Sequence, residues 1–185
     1  MNNSLDLSKY ENSWYKTGRN FFIRILWYYS NLLFIKNPYF IFSKLKINIL
    51  RLFGAKIGKN VLIKPSVNIK YPWKLKIGNN TWIGENVWID NLDFVEIGNN
   101  VCISQGAFLL CGNHNYKKST FDLIVEKITI EDGVWIGAKS IVTPGCLCKT
   151  HSVLSTLSVA GKILEEYTVY KGNPAVPIRK REINE

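Results

Sequence analysis

The sequence predicts an all-β solenoid, a parallel β-helix of hexapeptide coils with an N-terminal helical arm and a short C-terminal helix or tail. Three observations predict it. From Ile57 onward the chain repeats in blocks of six, "IGKNVL IKPSVN", "IGNNTW IGENVW", "IGNNVC ISQGAF" and "IEDGVW IGAKSI VTPGCL". Each block opens on an aliphatic residue, and its fifth position is small or β-branched: Val61, Val67, Thr81, Val87, Val101, Ala107, Val134 and Ser140. Ile57, Ile77 and Ile97 lie twenty residues apart, three hexads plus two residues per coil.

The physical reading is a strand and a turn in every hexad. The first residue points inward and stacks on its equivalents one coil above and below, and Gly and Asn allow the corners to turn. One coil cannot bury its own face, so several must stack. A helical period does not fit, because spacings of three and four do not stay apolar. A β-sandwich would not keep a six-residue register this long.

Residues 1–54 form the arm. The run "FFIRILWYYSNLLFI", residues 21–35, is apolar but fifteen residues long and carries Arg24, where a membrane-spanning helix needs about 20 apolar residues. A helix packed on the protein or on a sister subunit is favoured, with a membrane-surface helix as the alternative. A second helix follows Pro38, with Leu45, Ile49 and Phe53 on one face and Gly54 ending it. The β-helix domain covers 55–178, with an inserted loop at about 112–127, and 179–185 are a tail. At 185 residues and 46% hydrophobic content, one domain with an added arm and a real core is expected.

Residues 1–56 hold nine basic and two acidic side chains of a chain whose net charge is +10. That asymmetry asks for an acidic partner, a phosphate-bearing substrate or a membrane surface. Nothing resembles an arginine-rich nucleic-acid motif, so no nucleic acid is expected. Cys102, Cys111, Cys146 and Cys148 show no CxxC pairing and the first twenty residues are polar, so free thiols in a reducing cytoplasm are expected.

The segments "RLFGAKIG", "IKYPWKLKIGNNTWIGE", "WIDNLDFVEIGNNVCISQGAFLLCGNHNY", "FDLIVEKITIEDGVWIGAK" and "VYKGNPAVPIRKR" together resemble the hexapeptide-repeat O-acetyltransferases. The likeness is to the maltose, galactoside and colanic-acid-biosynthesis types. The resemblance implies a left-handed β-helix, a homotrimer with clefts between subunits, acetyl-CoA as cosubstrate and no metal. The acceptor it implies is a sugar hydroxyl in exopolysaccharide, capsule or lipopolysaccharide biosynthesis, met in the cytoplasm or on the inner face of its membrane. Acetylation of a nucleotide-linked amino sugar and a non-catalytic hexapeptide scaffold are the alternatives.

The repeat lapses after Leu109 through "GNHNYKKSTFDLIVEK" and resumes at Ile130. Ile97 to Ile130 is 33 residues where three hexads take 18, so about fifteen project from the stack as a loop. His114 stands at its base. Acetyl transfer from a thioester to a hydroxyl needs a base, and a histidine with an ordinary pKa of about 6.5 is neutral and able to take a proton. The resemblance gives the matching histidine that role, by direct transfer. Asp90, Asn91, Asp93 and Glu85 are candidates to orient it, and Asp90 and Asn91 resemble the lining of the acceptor pocket. Asn113 and Tyr116 are nearby helpers.

By the same resemblance, Gly137 and Ala138 supply backbone N–H groups to the thioester oxygen, and Trp135 lines the cleft. Lys139, Lys162, Arg179, Lys180 and Arg181 are available to the CoA phosphates. Ser155 and Leu157 stand where relatives often carry glycine, so the pantetheine contacts near Ser155 depart from the pattern. His151 reads as structural. With two histidines in the chain, a three-histidine zinc site of the kind some β-helix carbonic anhydrases hold is not expected.

Overall fold

The computed structural model describes residues 4–184, which build an all-β parallel solenoid of about 6 turns. Each full coil gives one strand to each of three sheets. Face A stacks Lys56–Ile57, Leu75–Ile77, Val95–Ile97, Ile128–Ile130, Leu147–Cys148 and Ile163–Leu164. Face B stacks Leu62–Ile63, Trp82–Ile83, Cys102–Ile103, Trp135–Ile136, Val153–Leu154 and Thr168–Gly172. Face C stacks Asn68–Ile69, Trp88–Asp90, Phe108–Leu110, Ile141–Val142 and Val159–Ala160. The register is in phase, Ile57 on Ile77, Ile77 on Ile97 and Ile97 on Ile130, so the first residues of the hexads form the buried columns.

Two positions of the hexad do different conformational work. The fourth residue takes a left-handed backbone at the corners, with φ near +55° at Asn60, Asn80, Asn86 and Asn100, a region asparagine tolerates better than most residues. In the fifth coil His151 and Leu157 occupy the same place, at φ +56° and +58°. The second residue is glycine because the next coil is too close for a Cβ: one on Gly78 would stand 2.5 Å from the Gly98 carbonyl carbon. The Asn79 carboxamide oxygen accepts from the Lys59 N–H, and that of Asn99 from the Asn79 N–H, which ties coils together at the A–B corner.

The arm caps the first coil. Helix α1, Phe21–Ser30, starts on the Asn20 side chain, which accepts from the Ile23 N–H, and runs into a π-turn over Asn31–Ile35. Trp27 and Ile35 are buried, and the Trp27 indole N–H donates to the Ile69 carbonyl at 3.1 Å. Helix α2, Ser43–Leu52, buries Lys46, Ile47 and Leu50, with Ile49 and Phe53 at the edge of the core. Leu45, expected on that face, is half exposed (50%). The missing place is taken by Lys46, whose ammonium reaches the Lys64 carbonyl at 2.8 Å. Gly54, at φ +98°, ends α2 as expected.

The last coil closes differently from the expected helix or tail. Thr168–Gly172 turns back and pairs antiparallel with Ala175–Lys180, so regular structure extends past residue 178. No helix among the described residues is long and apolar enough to cross a membrane.

Candidate active site

The loop between the third and fourth coils is an antiparallel hairpin leaving the C–A corner, with Gly112 opposite Val125, Asn113 opposite Ile124 and His114 opposite Leu123. At its tip Phe121 takes φ +50°. The Lys118 ammonium and the Thr120 hydroxyl both donate to the Asp122 carboxylate, at 2.7 and 2.5 Å. The Lys118 bond first, and the Thr120 bond next, hold that carboxyl below its ordinary range.

This tip positions His114. Its Nδ1 lies 2.9 Å from the Phe121 carbonyl oxygen, and the two rings stack with centroids 4.3 Å apart and planes 6° from parallel. A carbonyl only accepts, so Nδ1 carries the proton and the Nε2 lone pair of the neutral ring is free. Tyr10 from the arm tilts against the imidazole with ring centroids 5.7 Å apart, and the Asp6 N–H donates to the Ser119 carbonyl. Sequence reasoning missed both Phe121 and Tyr10.

None of the four residues expected to orient the base does so. Asp90 is buried and pairs with the Lys70 ammonium at 2.9 Å. Asn91, fully buried, accepts from the Tyr71 N–H and donates to the Tyr71 carbonyl. Both ends of its carboxamide are spent on the coil below, so it does not reach a substrate. Asp93 accepts from the Phe94 N–H. Glu85 is exposed at the B–C corner of the second coil, one face away from the hairpin. Asn113 accepts from the His114 N–H at 2.8 Å, and Tyr116 is exposed. Cys111 beside the hairpin is buried, which pushes its thiol up to about 12, so it is no nucleophile at neutral pH.

The second half of the expected site lies elsewhere. Trp135 is half exposed on face B, its indole N–H bonded to Ser104 Oγ at 2.9 Å. Gly137 is corrected from donor to packing residue: its N–H already donates to the Leu154 carbonyl at 2.7 Å, and a Cβ there would stand 2.5 Å from the Thr156 nitrogen. The Ala138 N–H, at the same corner, has no acceptor among the described residues. A cleft of about 710 Å³ on face B brings Trp135, Ser155, Arg179 and Lys180 together beneath the C-terminal hairpin. Arg181 also lines it, but its guanidinium is bonded to the Gly133 and His151 carbonyls. Lys139 is exposed at the B–C corner, and Lys162 is exposed beyond face C, outside that cleft. His151 stacks on Tyr167 with its Nδ1 against Thr150 Oγ1.

Within one chain the two halves do not meet. His114 rises from the C–A corner and Ala138 stands at the B–C corner, with the width of face C between them, about 20 Å for a hexad of extended chain. The described residues hold no group of three or more His, Cys, Asp or Glu placed to share a metal ion.

The chain is 35% identical over 167 residues to the protein named colanic acid biosynthesis acetyltransferase WcaF of Escherichia coli K12, a match spanning 90% of this chain and 91% of that one. Among solved structures, the hexapeptide-repeat containing acetyltransferase of Vibrio cholerae O1 biovar eltor, complexed with acetyl coenzyme A, superposes with a TM-score of 0.78. Its identity is 21%, and the match covers 87% of this chain and 88% of that one. A maltose O-acetyltransferase from Clostridium difficile 630 gives a TM-score of 0.74 at 23% identity, covering 89% and 90%. These two likenesses bear on the fold. No family model matches the chain.

Proposed function

The chain belongs to the hexapeptide-repeat acetyltransferase family that includes WcaF, and from that premise we propose that it moves an acetyl group from acetyl-CoA to a sugar hydroxyl in surface-polysaccharide biosynthesis. The observation that carries this reading is the bond from His114 Nδ1–H to the Phe121 carbonyl. In the neutral ring it puts the lone pair on Nε2 and holds that atom in one orientation. Nε2 takes the proton of the acceptor hydroxyl as its oxygen attacks the thioester carbonyl, and returns that proton to the departing CoA sulfur. The Ala138 N–H faces the oxygen that gains charge, and Arg179 and Lys180 meet the CoA phosphates.

Because the base and the donor are a face apart in one chain, a complete site takes its halves from two copies. The outward columns support this. Face A presents Lys56, Lys76, Glu96 and Thr129 over its first four coils and Leu147 and Ile163 only in the last two, whereas face B presents Leu62, Trp82, Cys102, Trp135 and Val153, and face C presents Trp88, Phe108, Ile141 and Val159 beyond Asn68. Two adjacent apolar faces fit a heterologous ring, and a homotrimer that sets face B of one copy against face C of the next would bring Trp135 and Ala138 toward His114 of the neighbour.

A cytoplasmic enzyme in peripheral contact with the inner face of the membrane is part of the same reading. Between Glu11 and Glu85 the chain has thirteen Lys and Arg and no acidic residue, and Phe22, Tyr39 and Leu52 are 79, 90 and 82% exposed.

The test is His114→Ala assayed with acetyl-CoA and a panel of sugar hydroxyls and amino sugars, with the oligomer followed by light scattering. Loss of 10²-fold or more in kcat with the trimer intact is expected. Transfer at the parent rate would overturn the mechanism, and activity on amines alone would change the acceptor class.

A further inference from the structure

A cavity separate from the face B cleft lies between α1 and the outer side of face C, about 550 Å³ in volume, lined by Arg24, Tyr28, Lys36, Lys70, Trp88 and Asp90 among others. Its charge is unbalanced. Lys70 is neutralised by Asp90 at 2.9 Å, but Arg24 and Lys36 make no ion pair among the described residues, so the cavity carries two uncompensated cations. Asn31, on its wall, donates from Nδ2 to Asn68 Oδ1 while its own Oδ1 is buried without a partner. Trp88 and Tyr28 are 44 and 64% exposed, and they offer flat amphipathic surface beside those polar groups.

The cavity is also close to the base. Asp90 pairs with Leu110 one coil above it, and its carbonyl accepts from the Cys111 N–H. His114 is three residues farther on, at most about 10 Å of extended chain. A sugar whose hydroxyl sits at Nε2 reaches the cavity only if it carries a further group, and the cations require that group to be an anion.

We propose that this cavity binds the phosphate of a glycosyl phosphate or diphosphate, so that the acceptor is a phosphate-linked sugar and not a free sugar or a neutral polymer. The assignment rests on the acetyl-transfer reading for its catalytic consequence but not for binding. A phosphate dianion takes the charge-assisted bonds that Arg24 and Lys36 offer, and the aromatic walls flank the sugar. The phosphate has two chemical sources, a nucleoside diphosphate or a lipid phosphate.

Binding is read from tryptophan fluorescence, since Trp27 and Trp88 both line the cavity. The probes are glucose 1-phosphate, UDP-glucose, a short-chain polyprenyl-diphosphate hexose and free glucose, titrated into the parent, the Arg24→Ala/Lys36→Ala double variant and Arg24→Lys. Phosphorylated probes are expected to bind the parent at least tenfold more tightly than glucose, with most of that gain lost in the double variant and part regained in Arg24→Lys. The tighter of the nucleotide and polyprenyl arms identifies the source. In turnover, KM for the phosphorylated acceptor rises in the double variant while KM for acetyl-CoA holds. Phosphorylated probes binding no better than glucose, or equally to parent and double variant, overturn the inference. If His114→Ala still transfers acetyl, the reaction reading fails and the binding result stands by itself.

Discussion

His114 Nδ1 and the Phe121 carbonyl stand 2.9 Å apart, while the Phe121 side chain lies flat on the same imidazole. One residue therefore fixes both the tautomer and the plane of the base. It does so from φ +50°, a conformation bulky side chains rarely adopt and one that costs about 1–3 kcal/mol. The hairpin tip sustains it through the Phe121 N–H bond to the Lys118 carbonyl and the Lys118–Asp122 pair.

Phe121→Gly separates these duties. Glycine adopts a positive φ at little cost and keeps the carbonyl, but it removes the stack. The melting temperature is expected to hold or rise slightly, and kcat to fall about tenfold with KM for acetyl-CoA unchanged, because a misdirected base loses part of its contribution, typically about 10² to 10⁴. An unchanged kcat would show that the stack does not position the ring.

Gly137 and Ala138 make the same separation at the other half of the site. Gly137→Ala forces a Cβ to 2.5 Å from the Thr156 nitrogen, and strain of about 1–3 kcal/mol should appear as lost stability. Ala138→Pro removes an N–H that bonds nothing in the chain. It should leave the fold largely intact and lower kcat by about 10² to 10³, the cost of one oxyanion donor. Thermal melts beside kcat measurements distinguish the two, and the reverse pattern would assign the donor to Gly137.

The solenoid was legible because its inward side chains repeat with the coil, and His114 was legible because the repeat breaks around it. The partner of His114 was not. A backbone carbonyl carries no side-chain signal, and a phenylalanine with positive φ cannot be told from any other by identity. Asn91 was misread as a substrate contact, although Tyr71, which it clamps, lies one twenty-residue coil period away. Gly137 had a signal too: it occupies the hexad position of Gly58, Gly78, Gly84 and Gly98, where packing against the next coil demands glycine. Leu45 and Lys46 exchanged roles because the lysine stem packs on apolar neighbours while its ammonium reaches a carbonyl, which hydropathy does not register.

That buried lysine gives stability a pH dependence. Burial lowers the Lys46 ammonium from 10.5 to about 8. Between those values the unfolded chain binds a proton that the folded chain does not, so this group adds stability as pH rises from about 8 to 10.5 and contributes least below 8. Lys46→Met removes the charge at similar length, at the cost of an unpaired Lys64 carbonyl. The melting temperature of the variant relative to the parent should be highest at pH 7 and fall steadily toward pH 10.5. A difference constant across that range would mean Lys46 does not titrate in it.

Membrane contact is tested best by substitution, because deletion of the arm would remove Trp27, Ile35 and Leu50 from the core. Phe22 and Leu26 are 79 and 57% exposed on α1, so Phe22→Ser/Leu26→Ser leaves the packed face alone. Burying two such side chains in a bilayer interface contributes roughly 1.5–3 kcal/mol each when complete. Nearby cations add about 1 kcal/mol each at an anionic surface. Flotation with vesicles containing phosphatidylglycerol is expected to carry the parent at low salt, to lose it as salt screens the cations, and to carry the double variant at least tenfold less. Equal flotation of parent and variant, or equal binding to neutral vesicles, would leave the exposed arm to a protein neighbour instead.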